Sequence, residues 1–350
     1  MGLYGSIATD ASSASTLTYL NDLVFTADLD LGSTSTYTTP VVFDTASDKL
    51  MVDLDGNTPG GYSAGSASTD QSYPNYTLNN FDFTSTTDGT VDQVCFDTYC
   101  TSSGSVSIYT GTAGITSDKP FALTDVSGFC GLTLGKGAGP DGTIPAYSDM
   151  LVTQFSDQKF AFNIGSNANQ SYIDLGVETS DTSLMKTGSG YETKTFDVTH
   201  GSYYWEADLM GARFSTDGSD EWGLSNNKVR FASGRPCIYA PSSQYTLMKS
   251  SVMKYSFGYY ESSTYGLVTS CDMVDHMPNL QFHVGGSTDG FWTQVRVQDY
   301  LIEIDNSYEC MVCLRDTGVD DNNWYFGTTW FAGYYVQFDR DANQMSMTQA

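Results

Sequence analysis

The same layout occurs twice in this 350-residue chain: an apolar strand that runs into a short polar turn, then a glycine-bearing apolar strand much further on. In the first half Val41-Val42-Phe43 leads into Asp44-Thr45-Ala46-Ser47, and Cys130-Gly131-Leu132-Thr133-Leu134-Gly135 follows. In the second half Pro236-Cys237-Ile238-Tyr239 leads into Ala240-Pro241-Ser242-Ser243, and Trp324-Tyr325-Phe326-Gly327 follows. Gly131 comes 87 residues after Asp44 (Gly135 comes 91 after it), and Gly327 comes 87 after Ala240. Equal spacing predicts two copies of one β unit packed about a pseudo-twofold axis.

The rest of the sequence reads as β as well. Leu23, Phe25, Ala27, Leu29 and Leu31 alternate with Thr26, Asp28 and Asp30, the period of a half-buried strand. Val295, Val297 and Tyr300-Leu301-Ile302 read similarly. Helical signals are few and short, the best being Ala146 to Phe155 and Tyr245 to Tyr255. The stretch from Gly60 to Thr69 reads as exposed loop. With 34 Gly and 24 Tyr, many short strands joined by tight turns are expected. The formal charge of -26 argues against nucleic acid as a partner, because no Lys/Arg cluster offsets it. No apolar run approaches the ~18–20 residues of a membrane span, so membrane insertion is not expected. Nor is a charged start followed by an apolar run visible.

Metal and cofactor chemistry find no support. Cys310-Met-Val-Cys313 has CxxC spacing without a second pair or a nearby His. His200, His276 and His283 are scattered. The acidic clusters Asp53-Leu-Asp55-Gly-Asn57 and Asp320-Asp321-Asn322-Asn323 match no full calcium loop and read as solvated turns. No cofactor and no metal are expected.

Six segments in order resemble the pepsin-like aspartic proteases (the peptidase A1 domain) over nearly the whole chain. Val41-Val42-Phe43-Asp44-Thr45-Ala46-Ser47-Asp48-Lys49-Leu50-Met51-Val52 resembles the family's first active-site strand and turn, and Leu23 to Gly32 its opening hairpin. Ser171-Tyr172-Ile173-Asp174-Leu175-Gly176 resembles the strand that closes the first lobe, and Tyr203-Tyr204-Trp205-Glu206-Ala207 the one that opens the second. Trp324-Tyr325-Phe326-Gly327 and Tyr334-Tyr335-Val336-Gln337-Phe338-Asp339-Arg340 resemble the closing segments. The resemblance implies an all-β, bilobal fold with a few short helices. The expected lobes are residues 1–175 and 176–350.

That family's chemistry needs two aspartates, one per lobe, sharing a proton and holding a water between them. Asp44 fills the first place, and Ser47 stands where the family's hydroxyl hydrogen-bonds that aspartate. Ala240 is expected at the second place, which would leave Asp44 vestigial. Asp316-Thr317-Gly318 spells the family motif but has too little chain after it to build a lobe, and is read as loop. Anchoring on Phe96-Asp97-Thr98 puts Ser85 where the flap tyrosine normally covers the substrate, with Met51 in place of its supporting tryptophan.

Cys271 and Cys310 match the family's second-lobe disulfide, and Cys95 with Cys100 could close a tight hairpin loop. The alternative for each is a pair of buried thiols. Cys130, Cys237 and Cys313 remain, and an odd count leaves at least one thiol free or intermolecular. Asn75-Tyr-Thr and Asn169-Gln-Ser are glycosylation acceptors compatible with export.

The expected function is that of a catalytically inactive, secreted or cell-surface pepsin-fold protein acting as a binding or structural module. An active aspartic endopeptidase is the alternative. A third possibility is an assembly subunit that packs against copies of itself. Protein, polysaccharide and self-association all stand as partners, with some aromatic side chains between Tyr255 and Tyr265 exposed at the contact. The inherited cleft could also take an extended peptide by strand addition.

Overall fold

The structure, a computed structural model, describes residues 13–16, 18–20, 24–34, 36–47, 49–54, 56–64, 71–72, 81–96, 99–101, 106–115, 126–135, 158–164, 171–176, 192–199, 203–214, 220–304 and 307–349. Strands dominate. Among the described residues the α-helices are Ser242–Tyr255, Val297–Tyr300 and Thr328–Phe331. None is long and apolar enough to cross a membrane. The expected helix from Ala146 to Phe155 lies outside the described residues, whereas Tyr245 to Tyr255 falls inside the longest helix. The expected strand through Val297 and Tyr300 is instead a helical turn between two strands. There Arg296 makes a two-pronged ion pair with Asp299, and Asn279 accepts from the Val297 N–H.

The described residues form four sheets. An eleven-stranded sheet is built from the first half alone, while a seven-stranded and a four-stranded sheet come from the second. The remaining six-stranded sheet joins the halves: Lys159–Asn163 pairs with Tyr334–Asp339 and with Tyr172–Leu175. Its aromatic residues knit the centre of the molecule. Phe160 stacks on Phe338 at 4.7 Å, and the fully buried Trp205 packs edge-on against both.

Each half places one strand centrally. Tyr37–Asp44 pairs antiparallel with Val24–Leu31 and parallel with Gly128–Gly131. Val41 to Asp44 are consequently all buried, while Val24–Leu31 keeps the alternation read from the sequence, with Ala27, Leu29 and Leu31 inside and Asp28 outside. In the second half the same place is taken by Glu221–Phe231, which pairs parallel with Asn323–Phe326.

The halves meet where these two strands end. Thr45 Oγ1 donates to the carbonyl of Phe231 and accepts from the Ser233 N–H. Reciprocally, Ser233 Oγ donates to the carbonyl of Phe43 and accepts from the Thr45 N–H. All four bonds are buried and lie between 2.7 and 3.1 Å. Thr45 and Ser233 are separated by 188 residues, and exchanging them maps the motif onto itself, so it marks the twofold axis.

Three disulfides account for six of the seven cysteines: Cys95–Cys100, Cys271–Cys310 and Cys237–Cys313. The first two match expectation, and the third joins two cysteines that spacing left unassigned. Cys130 is free and buried, so it is no intermolecular link.

Two measurements follow. Thr45→Val strips the Phe231 carbonyl and the Ser233 N–H of buried partners, and is expected to cost about 2–4 kcal/mol in chemical denaturation; a loss below about 0.5 kcal/mol would place the join elsewhere. Alkylation monitored by intact mass should modify no cysteine in the native protein, because burial both shields the Cys130 thiol and raises its pKa. One should react after unfolding and seven after reduction.

Candidate functional site

Asp44 ends the central strand of the first half and sits at the axis, fully buried. Its Oδ1 accepts from the Ala46 N–H of its own turn at 3.0 Å and from the Gly234 N–H of the opposite turn at 3.2 Å. The carboxylate is thus held by backbone donors from both lobes. Ser47 lends its backbone to this turn, its N–H donating to the Asp44 carbonyl. Its hydroxyl is buried and has no hydrogen-bond partner among the described residues, so the expected bond to Asp44 is not made.

The residue related to Asp44 by the axis is Ala232, 188 positions on, as Ser233 is to Thr45. Three further correspondences fix this register. Gly131 N–H donates to the Lys49 carbonyl, and Gly327 N–H to the Cys237 carbonyl. A Cβ on Gly131 would collide with the Ser47 carbonyl, and one on Gly327 with the Arg235 carbonyl, at 2.5 and 2.2 Å. Leu50–Val52 pairs antiparallel with the strand bearing Cys130, as Ile238–Ala240 does with the strand bearing Phe326. Asp44, Thr45, Ala46 and Ser47 therefore answer to Ala232, Ser233, Gly234 and Arg235.

Ala240 is not at the axis. It ends the strand Ile238–Ala240 as Val52 ends Leu50–Val52, and each of these strands pairs parallel with one neighbour and antiparallel with another, which makes Ala240 the counterpart of Val52. The equal 87-residue intervals were coincidental: Gly327 lies 95 residues after Ala232, eight more than separate Gly131 from Asp44. The sequence did hold the signal. Val229-Arg230-Phe231-Ala232-Ser233-Gly234 repeats Val41-Val42-Phe43-Asp44-Thr45-Ala46 as Val-x-Phe, one variable position, a hydroxyl and a small residue. Arg230 at the second position hides it from a search for apolar strands.

Other expected residues are placed as follows. Ser85 lies within Phe81–Val91 of the eleven-stranded sheet, opposite Gln71 and Gly111. Met51 is fully buried between the strands bearing Phe129 and Tyr109. Asn75 and Asn169 lie outside the described residues. Asp316 ends a strand rather than occupying a loop. Its register partner is Ala240, and its carboxylate accepts from the Ser242 hydroxyl and the Gly318 N–H. Asp320 and Asp321 accept from the backbone of Ser243 and Asn323, as turn-capping carboxylates do. Among the described residues no group of His, Cys, Asp and Glu is placed to hold a metal.

The second lobe's side of the axis is aromatic and cationic. The Arg235 guanidinium lies 3.9 Å from the Tyr325 ring centroid and 5.1 Å from that of Tyr239. Burial pushes the Tyr239 hydroxyl up to about 12, the charges of Arg235 and Arg315 opposing it. Position 235 answers to Ser47, so one side of the axis carries a small hydroxyl and the other a guanidinium.

A search of curated protein sequences found no match. Among solved structures, an aspartic proteinase from Irpex lacteus matches with a TM-score of 0.72 at 16% identity, over 97% of this chain and 98% of that one. A likeness at that identity is one of fold. The family described as eukaryotic aspartyl protease matches residues 24–350, which takes in both central strands and both turns at the axis. The chain therefore belongs to the eukaryotic aspartyl protease family.

Proposed function

We propose that this protein is a pepsin-fold member that no longer hydrolyses peptides and acts as a binding or assembly module outside the cell. The observation that carries this reading is Ala232 on the axis opposite Asp44. Aspartic protease chemistry divides its work between two carboxylates: one takes a proton from the water while the other, kept protonated by its neighbour's charge, donates to the scissile carbonyl. A methyl group offers no proton, no charge and no hold on the water. Asp44 alone keeps its place but loses the like-charge neighbour that would set an acid against a base. Arg235 where a small hydroxyl stands in the other lobe adds a cation to that half of the site.

Export is supported by three disulfides, which persist in oxidising compartments, together with the Asn75 and Asn169 acceptors. Macromolecular contact is supported by the surface around Tyr260. Phe257 is 80% exposed, and Tyr259 and Tyr260 lie in the exposed range beside it. Tyr308, 82% exposed, precedes Glu309, whose carboxylate accepts from the Tyr260 hydroxyl. Rings with a polar tip suit a protein interface or a stacked sugar.

Hydrolysis of acid-denatured globin or casein should not exceed that of Asp44→Ala at any acid pH. Robust acid proteolysis lost in that variant would establish an active endopeptidase instead. Light scattering of the native material should show self-association or a partner complex that Phe257→Ser/Tyr260→Ser weakens. A strictly monomeric, partner-free protein would leave cleft binding as the remaining role.

A further inference from the structure

Gly234 is forced by Asp44. A Cβ at position 234 would lie 2.8 Å from both Cβ and Cγ of Asp44 and 3.2 Å from Oδ1, well inside the ~3.5–4.0 Å at which carbon atoms pack. The backbone at Gly234 has little room to move away, because its N–H is bonded to the same carboxylate and Ser233 beside it is tied into the axis through both its N–H and its hydroxyl. A lobe that carries the aspartate thus requires a residue without a side chain at the third position of the opposite turn.

The axis relates Gly234 to position 46 and Asp44 to position 232. The first turn has alanine, not glycine, at 46, and the second has alanine, not aspartate, at 232. Asp44 faces Gly234, and the same symmetry sets Ala46 against Ala232. The two departures from twofold symmetry therefore fall on one side of the axis, where they are mutually compatible. An aspartate at 232 would meet the Ala46 Cβ as Asp44 would meet a Cβ on residue 234.

We infer that Ala46 is a positioning residue that excludes a second carboxylate from the axis, so that the single-carboxylate site is enforced by residues 46 and 232 together. This rests on the reading of Ala232 as the partner position of Asp44, and it adds that Ala232→Asp alone does not rebuild a two-carboxylate site. The Ala46 methyl occupies space the new carboxylate needs, and the tightly bonded turns leave neither side free to withdraw. With Ala46→Gly the space is open, and both turn N–H groups can serve the pair.

The test is a cycle of wild type, Ala46→Gly, Ala232→Asp and Ala46→Gly/Ala232→Asp, with thermal unfolding and binding of a statine-type inhibitor followed across acid pH. Ala232→Asp is expected to lower the unfolding midpoint markedly when Ala46 is retained and much less when it is combined with Ala46→Gly. Inhibitor binding should appear only in the double variant, on the order of 10²-fold tighter than in wild type. It should be strongest where the two carboxylates share one proton, a pH dependence that cavity relief alone would not produce. Equal destabilisation by Ala232→Asp in both backgrounds, or equally tight inhibitor binding with Ala46 retained, would overturn the inference. Should Ala232→Asp not fold in either background, Ala232→Ser places an atom at the same γ position, and its cost must likewise shrink with Ala46→Gly or the inference fails. Acid proteolysis by the wild-type protein would refute the proposed function while leaving this cycle to be read on its own.

Discussion

Four hydrogen bonds crossed between Thr45 and Ser233 hold the two halves in register at the one place where both lobes contribute backbone to the same small volume. Each hydroxyl is buried and acts as donor and acceptor at once, so none of the six backbone and side-chain groups can be lost without leaving another unsatisfied. The central strands, the turns that follow them and the glycines that pack behind those turns all take their positions from this cross. Gly131 and Gly327 belong to the same device. Each lets a strand pass so close to the neighbouring turn that a Cβ would strike a carbonyl.

On this scaffold the two kinds of position have parted company. Positions whose side chains serve the fold keep their symmetry: hydroxyl against hydroxyl, glycine against glycine, buried phenylalanine against buried phenylalanine at 43 and 231. Positions that would carry the reaction do not: aspartate against alanine, serine against arginine. No bond in the cross uses the side chain of residue 232, so the cross forms with alanine there. Removing one carboxylate of a buried pair also relieves like-charge repulsion. The fold and the chemistry are separable here because different side chains in the same turn carry them.

The second lobe illustrates why pairing had to come from register. Cys310 and Cys313 are three residues apart, yet they bond outward to Cys271 and Cys237. Cys313 precedes the strand Leu314–Asp316 and Cys237 precedes Ile238–Ala240, and these strands run parallel with Ile238 opposite Leu314. The two cysteines are therefore brought level by strand pairing. Spacing along the chain contains no trace of that.

The sequence alone determined the architecture and the first half of the site. Alternation from Ala27 to Leu31, the abundance of glycine and tyrosine, and ordered family-like segments are local properties, and local backbone preference is enough to write them into the chain. Asp44 was legible for the same reason, being an aspartate at the end of an apolar strand with its motif nearly intact. Its partner position was not. With alanine at 232 and Arg230 interrupting the apolar run, only the faint Val-x-Phe repeat marked residues 229–234, and the apolar stretch at 236–240 offered a better local match eight residues away. Only the tertiary structure could decide between them, because what defines position 232 is not its own side chain but the hydrogen bonds that its neighbour Ser233 makes to a turn 188 residues earlier.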